Sequence, residues 1–592
     1  ALAARYARLQ ADLLAQGLMR GDGGGPDTPF TETMLARNFI RIALFDEYRL
    51  SGDGALEAQA TVSRLRRWEQ PIRMAVEFGA TVPLAQRDRD TASVASYAAR
   101  LSRLTGVPTT QTTAEDANFH VLFLGEDDRA TYDMLCAADS VGVFQIESRA
   151  QMAMLPRLKP RCFYDLVIEI AIVRPGPIQG GMVHPYLRRR QGLEAVDYPS
   201  PEIKGVLERT LGIPVFQEQV IRLAMVAAGF SGGQADQLRR AMASWGKDSA
   251  LTPFQQKLID GMLSRGYSLD FAERLFKQIQ GFGVYGFPES HSASFALLAY
   301  VSAWLKCHHP AAFCCALLNS QPMGFYSPSQ LLQDAQRHHI EVRPIDICHS
   351  NWEHSLETGT SSEPAIRLGI CLIKGFSRRA AERIVSARGL QRFNSLTQLT
   401  RVAGLSQSHL ALLSSAGALR SLTANRRQAH WDALAIEEYR PLLDATQSSA
   451  SSSSTALSLP SEVEELNADY SSTGVSLGRH PMTILREQSP ALQRCKRASD
   501  LSSMSNRRFV RIAGLVTGRQ RPGTASGVIF LTLEDETGNS NIVVWTSVQA
   551  RCREALLKAR LLLVKGVVET DGNVVHVIAQ ELSDYSAMVN ER

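Results

Sequence analysis

Between Phe282 and Ser327 the chain reads FGVYGFPESHSASFALLAYVSAWLKCHHPAAFCCALLNSQPMGFYS, and no other stretch constrains the fold as strongly. A Gly-Phe-Pro turn precedes a Ser-His-Ser-Ala cluster, which opens a long apolar helix. The first backbone N–H groups of a helix have no partner within it. Ser290, His291 and Ser292 therefore stand where an anion such as a phosphate is welcome. Read alone, the same residues also describe a buried helix with a serine cap and a satisfied histidine.

A chain of 592 residues exceeds a single core, and about three to five domains are expected. Hydrophobic residues at 44% and charged residues at 21% describe an ordinary soluble globular protein. A net charge of +5 permits nucleic-acid contact through local basic patches without arguing for it. Nine cysteines with no C-x-x-C pair make neither a disulfide framework nor a zinc ribbon, and suit a reducing cytoplasm. Cys307, His309, Cys314 and Cys315 crowd an apolar stretch broken at Pro310, a setting for core cysteines rather than metal ligands. No apolar run is long enough to span a membrane, and the first residues, ALAARYARLQADLL, lack the apolar core of a signal peptide. The expectation is a cytoplasmic protein with no membrane partner.

The expected class is multidomain α+β. Residues 1–30 read as a short helix and a Gly-rich break, and 31–129 as a small α+β unit. In the latter, Ile72–Phe78 and Asn118–Leu124 read as strands, and Thr91–Leu104 has helical spacing. Residues 130–328 are mostly helical, and 329–446 continue as shorter helices. The serine-rich 447–460 is a linker too polar to pack. In 461–592 five strands follow: Phe509–Val516, Val528–Leu533, Asn541–Trp545, Leu561–Val568 and Val574–Ile578. A helix-like interruption at Ser547–Ala559 makes this the pattern of a five-stranded OB-fold barrel.

Three further blocks keep order and spacing with the opening stretch: ADSVGVFQIESRAQ (Ala138–Gln151), VRPGPIQGGMVHPY (Val173–Tyr186) and IPVFQEQV (Ile213–Val220). Together they resemble the fingers region of the bacterial C-family DNA polymerases, and the ending AAFCCALLNSQPMGFYS resembles its error-prone branch. The likeness runs from about Thr131 to the C-terminus. Residues 31–129 resemble a bacterial domain family of unknown function instead, through RNFIRIALFDEY, LRRWEQPIRMAVEFG and ANFHVLFLGEDDR. The two resemblances meet near Asp128–Thr131, as in a fused gene.

The resemblance implies template-directed nucleotidyl transfer in damage-tolerant DNA synthesis and repair. It also implies Mg²⁺, deoxynucleoside triphosphates, primer-template and single-stranded DNA, the sliding clamp and other damage-tolerance proteins. In this family the metal ligands are carboxylates of an Asp-x-Asp strand motif and a further Asp, and neither motif is found. Asp88-Arg89-Asp90, Glu126-Asp127-Asp128 and Glu534-Asp535-Glu536 read as solvated acidic loops, so no catalytic residue and no metal ligand is assigned within the chain, which by itself is expected to be inactive. The alternative to a polymerase is a non-catalytic DNA-binding remnant.

On the triphosphate side, QADQLRRAMASWGK puts Arg239 and Arg240 on a helix and Lys247 one loop on. Guanidinium groups grip phosphate oxygens in pairs, although a plain exposed Arg pair looks the same. Ala243-Ser244-Trp245 depart from the Gly or Gly-Ser that the family has before its lysine. Arg174 opens the stiff turn Arg174-Pro175-Gly176-Pro177, and with Ser290 and His291 completes the nucleotide-binding candidates. Gln217-Glu218-Gln219 follow an apolar, strand-like run.

Candidates for DNA contact are the run Arg188, Arg189 and Arg190; the helix-hairpin-helix residues Lys374, Gly375, Arg378 and Arg379; and Arg519, Arg521 and Trp545 of the barrel. Runs of arginine are also ordinary solvated faces. Ser377 stands where the hairpin usually has a second glycine. Trp545 and Phe530 offer stacking platforms if they face outward.

Overall fold

The chain divides into two units between Leu124 and Gly125. The computed structural model describes residues 45–50, 56–62, 71–79, 82–105, 107–123, 128–174, 177–178, 181–243, 252–282, 287–323, 326–361, 363–436, 456–521, 527–571 and 574–590. The expected N-terminal helix and residues 447–455 of the serine-rich linker fall outside them.

In the first unit, β1 (Phe45–Leu50) and β2 (Leu56–Val62) pair antiparallel. A separate parallel sheet has the order β4-β3-β5: β3 (Ile72–Phe78), then α1 (Leu84–Thr105), β4 (Thr109–Gln111) and β5 (Phe119–Phe123). Met74 and Ala75 are adjacent on β3 yet both buried. A central parallel strand is covered on both faces, which overrides the alternation its sequence suggests. Asp88-Arg89-Asp90, expected in a loop, lies within α1.

The second unit begins with helices: α2 (Arg129–Cys136), α3 (Arg149–Leu158), α4 (Phe163–Ile172), α5 (Val183–Arg190), α6 (Pro201–Leu207), α7 (Gln217–Ala228), α8 (Gly232–Ala243), α9 (Thr252–Ser264), α10 (Leu269–Phe282) and α11 (Glu289–His308). Every residue of α4 from Asp165 to Ile172 is buried, so this helix is the centre around which the others pack. The run before Gln217, expected as a strand, is irregular; Phe216 caps α7 directly. Gly261 lets α9 cross α7 closely, since a Cβ there would lie 2.2 Å from the Ala228 carbonyl oxygen.

Against α4 lies α11, whose Ser292, Ala296, Ala299 and Ala303 are buried at i, i+4, i+7 and i+11. These small side chains let the two backbones approach, and Ser292 Oγ donates to the Val167 carbonyl at 2.5 Å. The other side of α11 is open, with Leu297 56% and Leu298 51% exposed. Leu297 and Leu298 thus mark the side of the helix turned away from α4.

After α12 (Pro310–Asn319) and α13 (Pro328–Arg337) comes a small sheet, β6 (Val342–Arg343), β7 (Ser355–Glu357) and β8 (Ala365–Arg367). The helices α14 (Arg378–Leu390), α15 (Leu396–Ala403), α16 (Gln407–Ser415) and α17 (Arg426–Leu434) follow. Ser377, Ser395, Ser406 and Asn425 cap them by accepting backbone N–H groups, which is why these short helices start where they do. Cys314 and Cys315 belong to this core.

Past α18 (Glu462–Ser472) and α19 (Pro481–Gln488), β9 (Phe509–Gln520), β10 (Ile529–Asp535), β11 (Gly538–Val544), β12 (Leu561–Asp571) and β13 (Val574–Asp584) form a closed barrel in the order β10-β11-β13-β12-β9. Short helices α20 (Thr546–Arg551) and α21 (Arg553–Lys558) sit between the third and fourth strands, as the sequence leads one to expect. Glu534 and Asp535, expected in a solvated turn, are buried: His480 Nε2 is 3.2 Å from Glu534, and Arg486 meets Asp535 at 3.3 Å.

Candidate functional site

The four separated blocks meet around Phe287, just before α11. The Arg174 guanidinium lies 4.7 Å from the centre of the Phe287 ring. Its Nε donates to the Ile170 carbonyl at 3.1 Å, and a terminal nitrogen donates to Gln145 Oε1 at 3.1 Å. Gln145 holds a left-handed backbone, with φ of +65°. The His291 ring lies 6.4 Å from Phe287, while Phe295 stacks on it at 6.2 Å and meets Phe144 edge-on at 5.7 Å. From the fourth block, Gln217 N donates to the Phe287 carbonyl at 3.2 Å, and Glu218 Oε2 accepts the Glu289 N–H at 3.0 Å.

Three residues unmarked by the sequence steady this place. Tyr164 donates its hydroxyl to Glu289 Oε1 at 2.8 Å; Arg209 lies 3.6 Å over the Tyr164 ring and 3.4 Å from the same carboxylate. Burial and the Glu289 carboxylate push the Tyr164 hydroxyl up, so it stays protonated as a donor. Glu289 is thereby held against a cation, with its negative charge partly offset. Ser290 and His291 remain exposed on the first turn of α11. The arrangement offers a guanidinium, an imidazole, a hydroxyl and a helix N-terminus around one aromatic ring, a set suited to an anion carrying an apolar or aromatic group.

Arg239 and Arg240 lie on α8, and their side chains fall outside the described part, as does Lys247. The run on α5 is partly committed within the protein. Arg190 grips both Asp165 oxygens at 2.5 and 2.6 Å, and Arg189 reaches Glu194 and the Leu211 carbonyl. Arg188 is the more exposed member, 3.4 Å from Glu194.

In the hairpin, Gly375 has φ of +78° and a Cβ there would meet nothing within 4 Å, while Lys374 Nζ caps α18 through the Tyr470 and Ser471 carbonyls at 2.9 and 3.0 Å. Arg378 pairs with Glu382 at 3.0 Å along its own helix, and Arg379 is exposed. On the barrel, Arg519 donates to the Leu556 and Ala559 carbonyls, Arg521 is exposed, and Trp545 is 51% exposed. Trp545 therefore faces out of the barrel.

Two clusters among the described residues gather ligand-type atoms: Asp128, Cys307 and His308; and Asp139, Asp334 and His338. Neither fits Mg²⁺. In the second, Lys306 Nζ already stands 2.8 and 2.9 Å from the two aspartates, an ammonium where a cation would go. In the first, Asp128 caps α2 and pairs with His308 at 2.7 Å beside a thiol, a donor set foreign to a hard cation. The residues described do not build the family's metal site.

Residues 104–266 match the bacterial DNA polymerase III alpha subunit finger domain, 339–429 a helix-hairpin-helix motif, and 510–585 an OB-fold nucleic acid binding domain. Residues 32–165 match a protein of unknown function (DUF2927), overlapping the finger match from 104 to 165. The error-prone DNA polymerase of Saccharophagus degradans is 61% identical over 479 residues, 80% of this chain and 46% of that protein. Most of this chain resembles an error-prone DNA polymerase. Its counterpart in Teredinibacter turnerae is 62% identical over 470 residues, 78% of this chain and 45% of that protein. The chain thus spans about half the length of the curated relatives it matches. Among solved structures, asparaginyl-tRNA synthetase from Pyrococcus horikoshii aligns over 15% of this chain and 22% of its own, at 24% identity and a TM-score of 0.14.

Proposed function

We propose that this chain works as the fingers, helix-hairpin-helix and OB part of an error-prone DNA polymerase, a DNA-directed nucleotidyltransferase of damage-tolerant synthesis and repair. The observation that carries the reading is the meeting of four distant segments at Phe287 and the first turn of α11. Arg174, Ser290 and His291 bind the triphosphate of a deoxynucleoside triphosphate there, with Arg239, Arg240 and Lys247 approaching from α8 and the loop after it. Template and single strand follow Arg188, the hairpin at Gly375 with Arg378 and Arg379, and the open end of the barrel at Arg521 and Trp545. Mg²⁺ is held by carboxylates other than those described, and the chain works in the cytoplasm beside the sliding clamp and other damage-tolerance proteins.

The test is primer extension by the purified chain with Mg²⁺ and deoxynucleoside triphosphates. Extension that falls on Arg174→Ala supports the polymerase reading. A second reading, a DNA-binding module without chemistry, is favoured by the aspartate clusters that do not suit Mg²⁺. It is supported by tight, salt-sensitive binding of primed template with no extension; extension by the chain removes it.

A further inference from the structure

The outer face of the barrel is crossed by a side chain from the fingers. On β10, Leu531 and Leu533 point into the barrel core, so Thr532 between them points outward. Thr532 pairs in register with Gly518 on β9 and Asn541 on β11, which makes one row across three strands. Over this row lies Arg149, the first residue of α3: its guanidinium is 3.5 Å from Asn541 Oδ1, and a Cβ on Gly518 would come within 3.2 Å of it. Thr532 is only 7% exposed, and its Oγ1 has no hydrogen-bond partner among the described residues. No carboxylate pairs with Arg149 among them either. Two residues further along β10, Glu534 is covered by His480. Along β11 the same parity as Asn541 runs through Val543 to Trp545, which is 51% exposed.

We propose that Arg149 is a built-in plug on the nucleic-acid face of the barrel, displaced when a single strand occupies the Gly518–Thr532–Asn541 row. The proposal rests on the reading of the barrel as a single-strand binder. The contact has the character a reversible plug needs. A charged group is partly withdrawn from water, yet its one described polar contact is long, and the hydroxyl beneath it is unsatisfied. A strand that lies across the row lets the guanidinium return to solvent or meet a phosphate. A closed plug lowers the apparent affinity by the fraction of molecules that are open.

The experiment is fluorescence anisotropy of a labelled short oligothymidylate with the full chain and with Arg149→Ala, Gly518→Ala and Trp545→Ala, each first checked by thermal melting. Loss of Arg149 is expected to tighten binding about five-fold, although it removes a positive charge. Gly518→Ala, whose methyl crowds the guanidinium, is expected to tighten it less. Trp545→Ala is expected to weaken it. If Trp545→Ala weakens binding but Arg149→Ala leaves it unchanged or weaker, the plug is overturned and the barrel reading stands. If the chain does not bind the oligonucleotide, or Trp545→Ala has no effect, the barrel reading fails and the plug falls with it.

Discussion

Glu169 sits at the middle of α4, 0% exposed, with neither carboxylate oxygen hydrogen-bonded among the described residues. Burial pushes its pKa well above the usual carboxylate range. A carboxyl whose folded value is raised loses stability for the fold as pH climbs past its unfolded value, because the unfolded chain releases the proton first. Glu169→Leu is therefore expected to stabilise the protein by about 1–3 kcal/mol at neutral pH and by less in acid. Denaturant melts at the two pH values check this, and a destabilised variant would refute it. On the barrel, Trp545 and Arg521 call for different signatures in oligonucleotide binding. Trp545→Ala should cost about 1–3 kcal/mol with the salt dependence unchanged, because stacking is lost. Arg521→Ala should lower the slope of log affinity against log salt by about one. Equal slopes for the two variants would leave Arg521 without a phosphate.

The packing of elements sets two further expectations. Since a Cβ at Gly261 would press on the Ala228 carbonyl, Gly261→Ala must part α7 from α9, and a loss of about 1–3 kcal/mol is expected. Unchanged melting would mean that the helices separate freely. Between α11 and α13, Lys306, Asp139, Asp334 and His338 form one ionic cluster, with His338 Nε2 2.5 Å from Asp139. The Asp139 bond holds the His338 imidazole above its usual value; Asp139 itself is held down to about 2 by His338 and Lys306, against its burial. The histidine's contribution is complete below about pH 6.5 and is lost as pH rises through its raised folded value, whereas the aspartate's is complete above about pH 4 and is lost toward acid. The destabilisation by His338→Ala should thus be larger near pH 5.5 than near pH 8.5, by roughly 1 kcal/mol. Equal values would remove the pair from the stability balance. The elements themselves are largely legible: periodicity locates β3, β5, the start of α11 and the starts of all five barrel strands within about three residues, but ends the last strand at Ile578 where it runs on to Asp584. Burial is not. Glu534 and Asp535 look solvated until Arg486 and His480 arrive from α19 and the residue before it. The arginines at 189 and 190 look free until Glu194 and Asp165 take them. Long-range partners of this kind leave no local periodicity, which is also why Tyr164 and Arg209 carried no signal.

At the scale of the whole molecule, separate cores fill the helix-hairpin-helix region and the barrel, and the first unit closes on itself before residue 125. Calorimetric unfolding is expected to exceed the van't Hoff enthalpy, since independent cores melt in more than one step; a ratio of one would show a single cooperative block. Within the second unit, the bed of Ser292, Ala296, Ala299 and Ala303 has a mechanical meaning. Slipping α11 by one residue turns it about 100°, which drives Leu297 or Leu298 into a space cut for a methyl group. The helix has one angular setting, like a key in its lock, and whatever its leading turn touches is aimed by the shape of that keyway some distance behind it.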